Sequence, residues 1–145
     1  MADLESTLRE LVDVCRDGQK GYKKAAEHTE SPELKTLFVQ ISSDRAQFAD
    51  QLDEEVLSLG KPASKAGDTA GALHRGWLEV KELVAGNDHS VLSWLEQGDD
   101  YAKGKYESAL KSDLPHNLSS IIRQQMQAIL RTHDQIKSLR DGKAA

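Results

Sequence analysis

The strongest constraint in this sequence is a stripe of apolar and small residues that advances in alternating steps of four and three. From Leu4 it runs through Leu8, Leu11, Cys15, Gly18, Tyr22 and Ala25. Steps of that kind place side chains on one face of an α-helix, so the stripe predicts a helix over about 3–28 with one buried seam. Such a helix is about twice the usual globular length and cannot bury its seam alone. The same pattern returns in Leu34, Phe38, Ile41, Arg45, Phe48, Leu52, Glu55 and Leu59, a second helix over about 32–59. Ser31 is placed to cap it, Pro32 suits its first turn, and Gly60 and Pro62 end it.

A stretch rich in small residues, 61–69, precedes a shorter helix over about 70–85 that carries Leu73, Trp77, Val80 and Val84 on one face. Gly86-Asn87-Asp88 breaks the chain and Asp88 is a candidate cap. A long helix over about 89–112 follows, with Leu92, Leu95, Asp99, Ala102, Tyr106 and Ala109 on its seam. Pro115 restarts the chain into a last helix over about 115–140, with Leu118, Ile122, Gln125, Ile129, Ile136 and Leu139 inward. Four long helices predict an all-α four-helix bundle, read as one domain over 1–145. The stretch 61–88 far exceeds the ordinary connection between neighbouring antiparallel helices. It predicts one long crossover containing the short extra helix, so that the second and third long helices run parallel, as in ferritin-like bundles.

Composition narrows the function classes. Of the 145 residues 38% are hydrophobic and 30% charged, with a formal net charge of −5 and a single cysteine. The acidic balance argues against a nucleic-acid partner, and no apolar run is long enough for a membrane span. The lone Cys15 excludes an internal disulfide and fits a reducing compartment. The first residues, MADLESTLRELVDV, lack the basic start and apolar run of a secretory signal. A cytoplasmic protein is the expectation.

Gly21-Tyr22 with Ala25-Ala26-Glu27, Arg45 with Phe48, His74-Arg75-Gly76-Trp77, Gly98-Asp99-Asp100-Tyr101-Ala102 leading to Tyr106, Leu114-Pro115 and His133-Asp134 follow one another in order. In that ordered set the chain resembles a bacterial family of ferritin-like four-helix-bundle proteins carried as a domain of unknown function. The resemblance implies the bundle and no activity.

Ferritin-like carboxylate proteins bind two metals with a Glu from each of two helices and a Glu-x-x-His pair from each of the others. The spacing matters because residues three apart on a helix point the same way. Three positions before the five histidines His28, His74, His89, His116 and His133 stand Ala25, Gly71, Gly86, Asp113 and Leu130. Only Asp113-x-x-His116 has a carboxylate, and Pro115 interrupts it at a helix start. No metal and no cofactor are therefore expected. Nor does a Gly-rich phosphate loop or a nucleophile elbow occur.

In the metal's place the seams carry Arg45 and Asp99, at matching height in the crossover topology, with Gln125 nearby. An inward arginine needs a carboxylate, so an Arg45–Asp99 pair is predicted, with Gly18 leaving it room. The plainest role for such a layer is to fix helix register. Weaker site candidates are His133, at the edge of the last seam, and Glu27, near the end of the first helix. Cys15 should pack as a small hydrophobe, and the hydroxyls of Tyr22 and Tyr106 need partners. Trp94 lies off its seam, which places it outside, under the crossover or at a contact with another subunit, and Asp53-Glu54-Glu55 should face solvent. Helical pattern without ligand pattern points to a metal-free interaction or stress-associated protein, possible homo-oligomers included. The alternatives are a metal-dependent oxidase or iron-handling protein with a non-standard site, and a small-molecule binder at the polar layer.

Overall fold

The computed structural model describes residues 3–64 and 87–142. Helix α1 spans Leu4–His28, α2 Pro32–Ser58, α3 Asp88–Leu110 and α4 His116–Asp141. The helix expected over 70–85, with Trp77 and His74, lies outside the described residues.

Each helix start has a local cause. Asp3 caps α1 by accepting from the Ser6 N–H at 2.7 Å. Ser31 accepts from the Leu34 N–H at 3.3 Å, with proline in the first turn of α2. Asn87 caps α3 through the Ser90 N–H, so Asp88 is the first helical residue and not the cap. Here the aspartate places its charge near the positive helix end. Pro115 precedes α4 without a side-chain cap. Past α2, Gly60 takes φ +79, a backbone state that suits glycine after a helix end.

Contacts at the helix ends set their directions. The Thr29 hydroxyl, after α1, donates to Asp88 at the start of α3 at 2.7 Å. At the other end Lys105 pairs with Glu10 at 3.0 Å. Helix α1 therefore runs antiparallel to α3. Only two residues separate α1 from α2 beyond Thr29, so α2 also starts at the Thr29 end and runs parallel to α3. Helix α4 returns antiparallel to α3, held by Arg140 on Glu96 and His133 on Asp100. This is a four-helix bundle in which α1 packs against both α2 and α3, α3 packs against α4, and α2 meets α4 only lightly.

The seams close into two apolar clusters. One gathers Leu8, Leu11, Leu52, Val56, Tyr106, Ile122 and Ile129; the other gathers Tyr22, Phe38, Ile41, Leu92, Leu95 and Ile136. Between them the seams of α1, α2 and α3 carry Gly18, Arg45 and Asp99. A polar layer thus divides the core, and burying the apolar halves on either side seals it from water.

Trp94 is under cover, and one surface reading, that of Asp53, needs correction. Trp94 is buried, 3% exposed, with the Lys24 ammonium 6.0 Å from its ring centre. It lies at the α1–α3 contact, because α1 is covered on more than its seam side: Val14, Asp17 and Gly21 are buried too. Asp53 is also buried; it accepts from the Ser64 N–H at 3.0 Å and lies 3.7 Å from Arg16. The stretch leaving α2 folds back over it. There Arg9 donates to the Pro62 carbonyl at 2.7 Å and to the Ser64 hydroxyl at 3.1 Å.

Candidate functional site

Arg45 and Asp99 meet at the centre of the bundle. Arg45 Nη1 donates to Asp99 Oδ1 at 2.9 Å, with the side chains 2% and 0% exposed. The other carboxylate oxygen is taken as well: the Tyr22 hydroxyl donates to Oδ2 at 2.5 Å. Tyr22 serves the arginine too, since the guanidinium carbon lies 5.2 Å from its ring centre. Phe38 braces that ring edge-on, at 6.0 Å between centres and 62° between planes.

The local sequence allows this. A Cβ on Gly18 would come within 3.0 Å of Arg45 Nη1, so a glycine there lets the guanidinium lie against α1. Burial is the largest influence and opposes the Arg45 charge, but Asp99, with smaller help from Tyr22 and Cys15, holds the guanidinium pKa above its ordinary value. Burial first, and then the Asp99 carboxylate, pushes the Tyr22 phenol well above its usual range. The cluster is a buried ion pair beside a neutral phenol.

A second buried network starts one turn away. The Cys15 thiol lies 2.9 Å from the Tyr106 hydroxyl, and that hydroxyl donates to Gln125 Oε1 at 2.7 Å. A phenol has one proton to give, so Cys15 is the donor to Tyr106. Gln125 Nε2 then donates to Gln51 Oε1 at 2.9 Å and to the Phe48 carbonyl at 3.3 Å. Gln51 is exposed, so this chain reaches the surface. Burial pushes the Cys15 thiol up to about 11, against smaller opposing effects of Tyr106, Arg45 and Arg16. Burial does the same to Tyr106, with Cys15 adding to it.

Of the predicted polar core, Arg45 and Asp99 are therefore brought together, and Gln125 is not with them. It is buried but bonds to Tyr106, which stands seven residues, about two turns, beyond Asp99 on α3. The helices are offset along their axes so that Gln125 faces the second network. Cys15 is buried as expected, yet it also donates a hydrogen bond. His133 is mostly buried at the α3–α4 edge, 2.7 Å from Asp100, 3.2 Å from Asp134 and 3.7 Å from Glu96. Glu27 is exposed and joins neither network. Sequence reasoning did not assign Tyr22 to Asp99 or Tyr106 to Cys15. The available signal was the tyrosine hydroxyl on each seam, which demands a partner without naming it.

Among the described residues no three His, Cys, Asp or Glu side chains are grouped as a metal would need, and no helix is long and apolar enough to cross a membrane. Fold and site define a helical bundle with an ion-paired centre. The chain belongs to the family described as domain of unknown function (DUF2383), whose model matches residues 3–112. Tyr22, Arg45, Asp99, Cys15 and Tyr106 fall inside that span, and α4 with Gln125 and His133 lies beyond it. No curated protein matches the chain.

Proposed function

We propose that this is a ferritin-like bundle working without metal, as a stress-associated or interaction protein in the bacterial cytoplasm, with a second copy or another protein as its partner. One observation carries the reading: the middle of the bundle is filled by Arg45 on Asp99. A guanidinium there repels a divalent cation, and both Asp99 oxygens already accept hydrogen bonds. A metal would have to displace Arg45 and Tyr22 and leave a buried cation facing it, which is electrostatically prohibitive. The layer's role is then to hold helix register, as buried polar residues do in coiled coils.

Elemental analysis of protein expressed with iron and manganese in excess tests this. Metal far below one ion per chain, unchanged by Asp99→Asn, is the expected result. Near-stoichiometric metal that disappears with Asp99→Asn overturns the reading in favour of an oxidase or iron-handling protein. For the partner, sedimentation over a wide concentration range should show self-association. A strict monomer removes the second copy from the proposal.

A further inference from the structure

At the outer edge of the α3–α4 contact, His133 sits among carboxylates. Its Nε2 lies 2.7 Å from Asp100 and 3.7 Å from Glu96, both on α3, and its Nδ1 lies 3.2 Å from Asp134 on its own helix. An ionised carboxylate has lone pairs and no proton to lend, so a ring nitrogen this close must supply the hydrogen. A neutral imidazole has one N–H and would turn a bare lone pair towards the other carboxylate. Only the doubly protonated ring meets both contacts together.

The neighbours leave that proton decisive. Arg140, about two turns further along α4, is already held by Glu96 and Asp141. Lys103 on α3 and Arg131 and Lys137 on α4 form no ion pair with the cluster among the described residues. Helix α2 meets α4 only lightly. Counting back from Gln51, which bonds to Gln125, its Asp44 reaches the level of His133, and it accepts from Gln40 on its own helix at 3.0 Å. The imidazole is 14% exposed and so held at the edge, whereas Asp100 and Asp134 are open to water. Histidine is also the side chain whose charge changes near physiological pH, while Arg140 stays charged throughout.

We propose that His133 is a proton-operated clasp between α3 and α4. Protonated, the ring ties the second half of α4 to Asp100 and Glu96. When it gives a proton to solvent it loses the charge attraction to both, and one nitrogen is left facing a carboxylate with a lone pair. The half of α4 beyond it then rests on Ile136, Leu139 and Arg140. The stability that the clasp contributes is present at low pH and lost as the pH rises. Its effect is a local opening of α4 that leaves the ion-paired centre intact, and it does not depend on the chain being metal-free.

The test follows backbone hydrogen exchange in the full chain between about pH 5 and pH 8, with each rate divided by the intrinsic rate at that pH. Amides of α4 from His133 to Arg140 should lose about two- to fivefold in protection as the pH rises, a modest change because the carboxylates are exposed. Amides around Ile122 and Gln125, in the first half of α4, should hold theirs. An equal change in both halves, or none in either, overturns the clasp. The midpoint of the loss should match that of the His133 ring resonances followed by NMR, and separate midpoints overturn it as well. His133→Gln should abolish the change; its persistence there assigns it to another group and overturns the proposal. Should His133→Gln fail to fold, the two midpoints in the unaltered protein decide.

Discussion

The two polar clusters in the core are built on opposite principles. The Arg45–Asp99–Tyr22 cluster is charged and closed, with its charges almost fully buried. The Cys15–Tyr106–Gln125 cluster is neutral and open, ending on exposed Gln51. In the first, each charge is tolerable only because the other faces it. In the second, every member loses an ordinary hydrogen bond when a neighbour is removed. Mutation should therefore be far more costly in the charged cluster, and far less additive.

The largest effect should come from breaking the ion pair. Asp99→Leu or Arg45→Leu strands a buried charge and should cost about 3–5 kcal/mol, with a lower Tm. Because the two charges penalise each other's absence, Arg45→Leu with Asp99→Leu together should recover most of that loss. Urea denaturation of the four proteins completes the cycle. An Arg45→Leu variant that is more stable than the parent would show that the pair contributes register and not stability.

Next in size, Tyr22→Phe removes a donor to a charged carboxylate and should cost about 1.5–3 kcal/mol, whereas Tyr106→Phe should cost about 1 kcal/mol. Equal losses in chemical denaturation would erase the distinction between the clusters.

The neutral cluster should show itself in alkali. The Cys15 thiol is held to about 11 against an ordinary value of 9.0, so between those values the unfolded chain has lost a proton that the folded one keeps. Stability contributed by the neutral thiol is full below pH 9 and falls as the pH climbs towards 11. Cys15→Ala should flatten that part of the profile, read as Tm against pH.

The smallest effect is also the most discriminating. Gly18→Ala gains helix propensity worth about 1 kcal/mol but brings a Cβ to 3.0 Å from a nitrogen that Asp99 holds in place. It should destabilise the parent slightly and stabilise the Arg45→Leu variant. The change of sign, measured by thermal melting, would tie Gly18 to the guanidinium.

Much of this arrangement was legible in the chain. Alternating steps of four and three predicted the four long helices, and Ser31-Pro32 and Gly60 marked boundaries that the structure repeats within a residue. Arg45 and Asp99 were legible as a pair because an unaccompanied arginine on a buried seam is untenable, and parallel α2 and α3 set both mid-helix. Gln125 was harder. It is as inward as Arg45, but its layer depends on how far α4 slides along α3, and periodicity along one helix says nothing about that slide. Asp53 was misread for a related reason. Its burial comes from a connection folding back over α2, which leaves no periodic trace.

By itself, then, the sequence determined which residues turn inward on each helix and that a cation and a carboxylate would lie among them. Helical periodicity is a local property, and the cost of burying a lone charge holds in any fold. Only the tertiary structure decided that Tyr22 takes the second oxygen of Asp99, that Gln125 serves Cys15 and Tyr106, and that Arg45 Nη2 has no hydrogen-bond partner among the described residues. Those choices are hydrogen bonds between helices, and sliding one helix by a single turn, about 5.4 Å, would exchange the partners.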